Sequence, residues 1–168
     1  NEFGKSKPIN VVMGPYRSDR VGDLLSRNDR LTPEDMYSMH MDVYSTEAEI
    51  FMKILSPLLP ASSSGDILKN WDMTYSPDSK GAWLFEQFYK ALREEVFGKN
   101  GLGDGVTRFM DEHTGIFNDF YLNFNRVLTS ETSAWFNGRK REEVYRRALD
   151  KISALTPKAW GQDQQVMM

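Results

Sequence analysis

The sequence predicts an all-α protein, an irregular helical bundle, and three observations carry that prediction. Apolar residues recur at helical spacing through most of the 168 residues. Two helix-start signals, Thr32-Pro33-Glu34-Asp35 and Ser76-Pro77-Asp78-Ser79, each open such a run. No convincing pair of strands, internal repeat or low-complexity tract interrupts them. The expected organisation is an extended arm over residues 1–14 and a helical domain over residues 15–168.

In the arm, Gly4, Pro8, Gly14 and Pro15 act as punctuation around a short extended piece at Ile9, Val11 and Val12. A first helix is expected over about residues 17–26, with Ser18 or Tyr16 near its start and Arg27 where a cation suits the helix dipole. The second has Thr32 as N-cap, Pro33 at the first helical position and Asp35 closing a capping box. Met36, Val43, Tyr44, Ala48, Phe51 and Leu55 carry it as one helix to about residue 59, where Pro57 and Pro60 end it. Residues 61–65 read as a loop, and Ile67, Leu68 and Trp71 as a turn or two of helix. A strongly aromatic helix follows, with Ala82, Trp83, Phe85, Phe88, Tyr89, Leu92 and Val96, ending at Gly98. So wide an apolar stripe implies contact with more than one neighbour. Apolar spacing resumes over residues 106–128, with Gly115 as a break. A loop holds Trp135 and Phe136, and a last helix spans about residues 139–155, with a tail after Pro157.

Composition bounds the function classes. Hydrophobic residues make up 40% and aromatics 12%, enough for a core of its own. No run approaches the roughly 18 apolar residues of a membrane helix, and no basic and apolar signal-peptide pattern follows Asn1. A net charge of -3 leaves no electrostatic footprint for nucleic acid. With no cysteine there is no disulfide or thiolate chemistry. The nine methionines read as adaptable core filler.

The chemical motifs are sparse. His40 and Asp42, two apart, cannot share a helix face. Asp111, Glu112 and His113 lack further residues at ligand spacing and read as a solvated helix face. Ser62-Ser63-Ser64 reads as a loop without a nucleophile elbow. Glutamates interleaved with Lys140, Arg141, Arg146 and Arg147 neutralise that basic stretch. The spacing alone describes a helical domain.

Order and spacing of short motifs add more. Tyr16-Arg17-Ser18-Asp19-Arg20-Val21, Leu24-Leu25, Leu31-Thr32-Pro33-Glu34-Asp35-Met36 and Asp42 resemble the β-chain of the penicillin acylase (penicillin amidase) family. His40 stands where that family's Gln-x-Asp element has glutamine. Asn70-Trp71-Asp72, Asp78-Ser79-Lys80-Gly81-Ala82 and Trp160-Gly161 resemble later elements of the same family, so the likeness spans residues 16–161.

The resemblance implies an N-terminal-nucleophile hydrolase that cleaves amide bonds of acylated amines, with a four-layer αββα core outside this segment. Its nucleophile is the hydroxyl of an N-terminal serine, with that residue's own amine as base and no metal in the chemical step. No residue here matches that serine, so the chain is expected to be an inactive internal fragment of the β-chain, completed by the rest of its α and β chains. Arg20 aligns with an arginine that lies beside the nucleophile and helps organise the oxyanion-hole asparagine. Asn1 aligns with the second member of the Asn-Asn pair containing that asparagine. No cofactor is implied. Some members carry a structural calcium, but Ile9, Asn10 and Val11 offer no carboxylate where one of its ligands would fall. A periplasmic or secreted parent, a small acylated amine substrate, and no nucleic-acid or membrane partner complete the expectation.

Two plainer readings stand beside it. Arg20 could serve only as a salt-bridge partner of Asp23 or a neighbouring loop. The chain could be a self-standing helical interaction module whose aromatic stripe binds a partner; an exposed patch of Trp83, Phe88 and Tyr89 would favour either such a partner or a missing remainder of the same protein.

Overall fold

The helix opened at residues 76–79 forms the centre of the molecule. The computed structural model describes residues 14–163, so Asn1 and nearly all of the expected arm lie outside the described residues. Ser79 accepts a hydrogen bond from the Ala82 amide and starts a helix at Lys80–Arg93. That helix is α5 in an order of α1 (Tyr16–Ser26), α2 (Pro33–His40), α3 (Thr46–Leu55), α4 (Ser63–Lys69), α5, α6 (Asp104–His113), α7 (Ile116–Asp119), α8 (Tyr121–Thr129), α9 (Arg141–Ser153) and α10 (Trp160–Asp163). Among the described residues no strand forms; one isolated antiparallel bridge joins Tyr44 to Thr74. The architecture is all-α, as the sequence predicts.

Helix α5 buries residues on nearly every side, because α4, α9, α10 and the segment that follows it all pack against it. Phe51 of α3 meets Phe85 and Tyr89 edge-on at 6.1 and 5.4 Å, and Phe88 meets Tyr145 of α9 at 5.5 Å. Such aromatic pairs add about 0.5–1.5 kcal/mol each beyond the area they remove from water. Trp83, Phe88 and Tyr89 are all buried, so they form no exposed aromatic face for a partner or for a missing remainder of the same protein.

The structure corrects several expected boundaries. The helix expected over residues 33–59 is broken at residues 41–45, where Ser45 caps a new start through the Ala48 amide. Ser45 followed by Thr46 and Glu47 is an N-cap signal, but the helical spacing of Val43 and Tyr44 overrode it. Ser62 is not a plain loop residue: it caps α4 through Gly65, and Ser63 and Ser64 are helical. Helix α5 does not end at Gly98. It passes into a π-helical segment, Glu94–Leu102, in which Gly101 abuts the Trp135 ring; a Cβ there would come within 2.3 Å of it. The loop before α9 contains a 3-10 turn at Ala134–Phe136, and the tail after Pro157 forms α10. The break expected at Gly115 is present, between α6 and α7.

Close approach also fixes Gly81. A Cβ there would lie 2.3 Å from Cγ of Trp71, whose indole N–H donates to the Thr74 carbonyl and cannot swing freely. Overpacking of this kind costs about 1–3 kcal/mol or more, against a helix-propensity gain of at most about 1 kcal/mol. Gly81→Ala is therefore expected to lower the urea midpoint of the chain, and an unchanged or raised midpoint would contradict this packing.

Candidate functional site

Arg20 lies one turn into α1, a helix with no buried residue of its own. Its Nε donates to Oδ1 of Asp42 at 3.1 Å and its Nη2 to Oδ2 at 2.6 Å, a two-pronged pair across 22 residues. Nη1 donates to Asp23 at 3.2 Å. The guanidinium also lies over the Tyr44 ring, 4.3 Å from its centroid. The planar fork of arginine matches a carboxylate in this way, which the point charge of lysine cannot do. The hydrogen bond from Arg20 holds the Asp42 carboxyl below the usual carboxylate range, and the same bond raises Arg20. Asp23, the partner expected on plain grounds, is present but secondary to Asp42.

The helix break at residues 41–45 is what presents Asp42. Its Oδ1 also accepts the Tyr44 amide at 3.2 Å, a local side-chain turn of the kind that competes with helix. The backbone on either side is tied to the loop after α4: Ser45 donates to the Met73 carbonyl at 2.9 Å, and Tyr75 to that of Val43 at 3.0 Å. Met73 adopts a left-handed conformation, φ 60°, to make that turn.

Arg20, Asp42 and Tyr44 line a groove of about 770 Å³ between α1, α2 and α3. Its walls include Leu24, Leu25, Met36 and Val43, and its deeper lining is polar, with Tyr16, Glu47 and Tyr75. Glu47 accepts from the Asn125 amide, and the Tyr89 hydroxyl donates to Asn125 Oδ1 at 2.6 Å. Asn125 also reaches the Tyr16 hydroxyl at 3.4 Å, and Thr46 donates to the Tyr16 carbonyl at 3.0 Å. These contacts fasten the start of α1 to α3 and α8. Nearby, the Tyr75 hydroxyl donates to Glu86 at 2.7 Å. Burial pushes both Glu47 and Glu86 above the usual carboxylate range.

A raised carboxyl favours the protonated folded state, so its stability penalty is absent below the ordinary glutamate range and grows as pH rises through the folded value. Glu47→Gln keeps the acceptor for Asn125 and cannot ionise. Its stability relative to wild type is expected to improve as pH rises from 4 to 7, read from urea midpoints. A difference independent of pH would contradict the assignment.

The remaining sequence candidates take no part in the Arg20–Asp42 pair. His40 is an exposed residue on the groove wall. Asp111 is not a solvated acid: Arg93 pairs with it at 2.5 Å and Lys90 at 3.5 Å. Ile9, Asn10 and Val11 lie outside the described residues, as does Asn1. Among the described residues no three carboxylate or imidazole side chains converge as a metal site would require. The Glu47–Asn125–Tyr89 network went unread in the sequence, because its members are 36 to 78 residues apart and carry no motif.

The profile of the penicillin amidase family matches residues 2–167. The chain belongs to the penicillin amidase family. It is also similar to a penicillin acylase 2 proenzyme from Pseudomonas sp. (strain SE83), 23% identical over 158 residues, which cover 89% of this chain. The chain spans about a fifth of the length of that relative, 20%.

Several of the residues that carry the penicillin amidase resemblance are linked through contacts in the structure. Arg20 pairs with Asp42, and the strand-like contact beside Asp42 leads to the Trp71–Thr74 turn. Trp71 packs against the space left by Gly81. Tyr75 meets Trp160 edge-on at 5.1 Å, while the Trp160 amide donates to the Ser79 carbonyl and that of Gly161 to Pro77.

Proposed function

We propose that residues 15–168 are the helical part of a penicillin-acylase-like amidohydrolase whose full-length form hydrolyses the amide bond of an acylated amine, a β-lactam antibiotic side chain or similar. Arg20 is its catalytic-site contributor in this chain. It stands beside the nucleophile and organises the oxyanion-hole asparagine, and Asn1 belongs to the pair containing that asparagine. The remainder of the enzyme's α and β chains supplies the nucleophile, so this chain alone turns over no amide. By the same resemblance the enzyme is periplasmic or secreted and needs no cofactor in the chemical step.

The observation that carries this reading is the fixed guanidinium of Arg20 on the groove wall, in a chain of the penicillin amidase family. Asp42 and Asp23 offset its charge, so it offers less a net positive field than pre-placed donors. Three of its N–H groups are engaged by carboxylates, and one on each terminal nitrogen lies outside those bonds. Donors set in place before the oxyanion develops need no reorganisation when it forms. Turnover of a phenylacetyl amide by the full-length enzyme, and its loss in Arg20→Ala, test the proposal. Failure of the folded full-length enzyme to hydrolyse any acylated amine would refute it.

A further inference from the structure

We propose that Asp42 is a positioning residue for the reaction: it acts through Arg20, fixing the orientation of the guanidinium before substrate arrives. The inference rests on the reading of Arg20 as the catalytic-site contributor. An unrestrained arginine samples many rotamers, and ordering it during the reaction would slow the chemical step. Here two parallel hydrogen bonds to one carboxylate set both the plane and the rotation of the fork. The Tyr44 ring covers the guanidinium at 4.3 Å, which fixes it further.

Asp42 is itself held. It accepts the Tyr44 amide, and residues 43 and 45 are bound to residues 75 and 73 by backbone hydrogen bonds. The chain interrupts a helical run to build this loop. The other contact, Asp23, sits on the same helix as Arg20 and is half exposed, so it cannot tie Arg20 to the rest of the structure. Among the described residues, Asp42 is the carboxylate that pairs with Arg20 from another element. Tyr44 donates its hydroxyl to Glu49, which pairs with Lys53, so the stacked ring is anchored on α3.

The test is a double-mutant cycle in the full-length enzyme with an acylated-amine substrate, each variant checked by thermal melting. Asp42→Ala is expected to lower kcat about ten- to a hundredfold with KM within about twofold, as misplacement of a reacting group does. Asp42→Asn keeps the shape but loses one acceptor and the charge, and falls between Ala and wild type. Asp42→Glu keeps the carboxylate and recovers part of the loss. In an Arg20→Ala background, Asp42→Ala is expected to change kcat by less than about twofold, because its route to the reaction is already gone. An equal loss in both backgrounds would show that Asp42 serves only the fold. An undiminished kcat in folded Asp42→Ala, beside a collapsed kcat in Arg20→Ala, would overturn this inference and leave the role of Arg20 standing. An undiminished kcat in Arg20→Ala would remove both.

Discussion

Replacing Arg139 by Met is expected to destabilise the chain by about 3 kcal/mol, because it strips a close and largely buried cationic partner from an enclosed carboxylate. Glu95 has 0% relative exposure and sits at the start of the π-helical segment. Arg139 Nη1 is 2.6 Å from its Oε1, Lys99 is 2.9 Å from Oε2, and Arg147 is 3.8 Å away. Burial pushes this carboxyl up, and Lys99 and Arg139 more than reverse it, so it remains below the usual carboxylate range. Lys99 and Arg147 are half exposed and share their charge with water, whereas the Arg139 side chain is only 16% exposed. Arg139 also ties the loop before α9 through the Phe136 carbonyl, at 3.1 Å.

Breaking one side of a buried pair costs about 3–5 kcal/mol, while replacing both sides with apolar groups is often neutral or better. The combined Glu95→Met and Arg139→Met variant is thus expected to regain most of the loss. Urea unfolding of the two variants decides the matter. A loss below about 1 kcal/mol in Arg139→Met would mean that Glu95 is adequately held without it.

Local signals in the sequence carry much of this fold. The Thr32 capping box is complete, with Thr32 and Asp35 exchanging hydrogen bonds, and Ser79 starts α5 where the Ser76-Pro77-Asp78-Ser79 signal puts it. The aromatic stripe of α5 does imply several neighbours. Features made between distant residues carry no such local signal. The π-helical segment holds an enclosed Glu95 whose partner Arg139 is 44 residues away, a contact that no window of helical spacing contains. The break at residues 41–45 competes with a helical pattern; local bonds at Ser45 and Asp42 mark it, and Arg20 and the loop at Met73 tie it from a distance.

The candidate site divides in the same manner. Arg20 and Asp42 were both legible as motif residues, and their resemblance to the family placed them there. That they meet in a two-pronged pair was not legible, since the reading of α2 as unbroken put Asp42 inside a helix. The plain expectation of an Arg20–Asp23 bridge is fulfilled as well, by a bond along one helix that asks nothing of the tertiary structure.

In the full-length enzyme, Arg20→Ala is expected to reduce kcat about a hundredfold while leaving KM nearly unchanged, since the oxyanion-hole asparagine it organises matters most when charge develops on the scissile carbonyl oxygen. The fold should survive. Helix α1 buries no residue, Asp23 faces water, and the freed Asp42 keeps its bond from the Tyr44 amide. Arg20→Lys restores a charge but not the fork, so most of the deficit should remain. The decisive measurement is kcat and KM for a phenylacetyl amide in wild-type and Arg20→Ala full-length enzyme of matched melting temperature. The account predicts a kcat deficit near a hundredfold, within the roughly 10²–10³ range for loss of oxyanion stabilisation. A kcat within about twofold of wild type would contradict it.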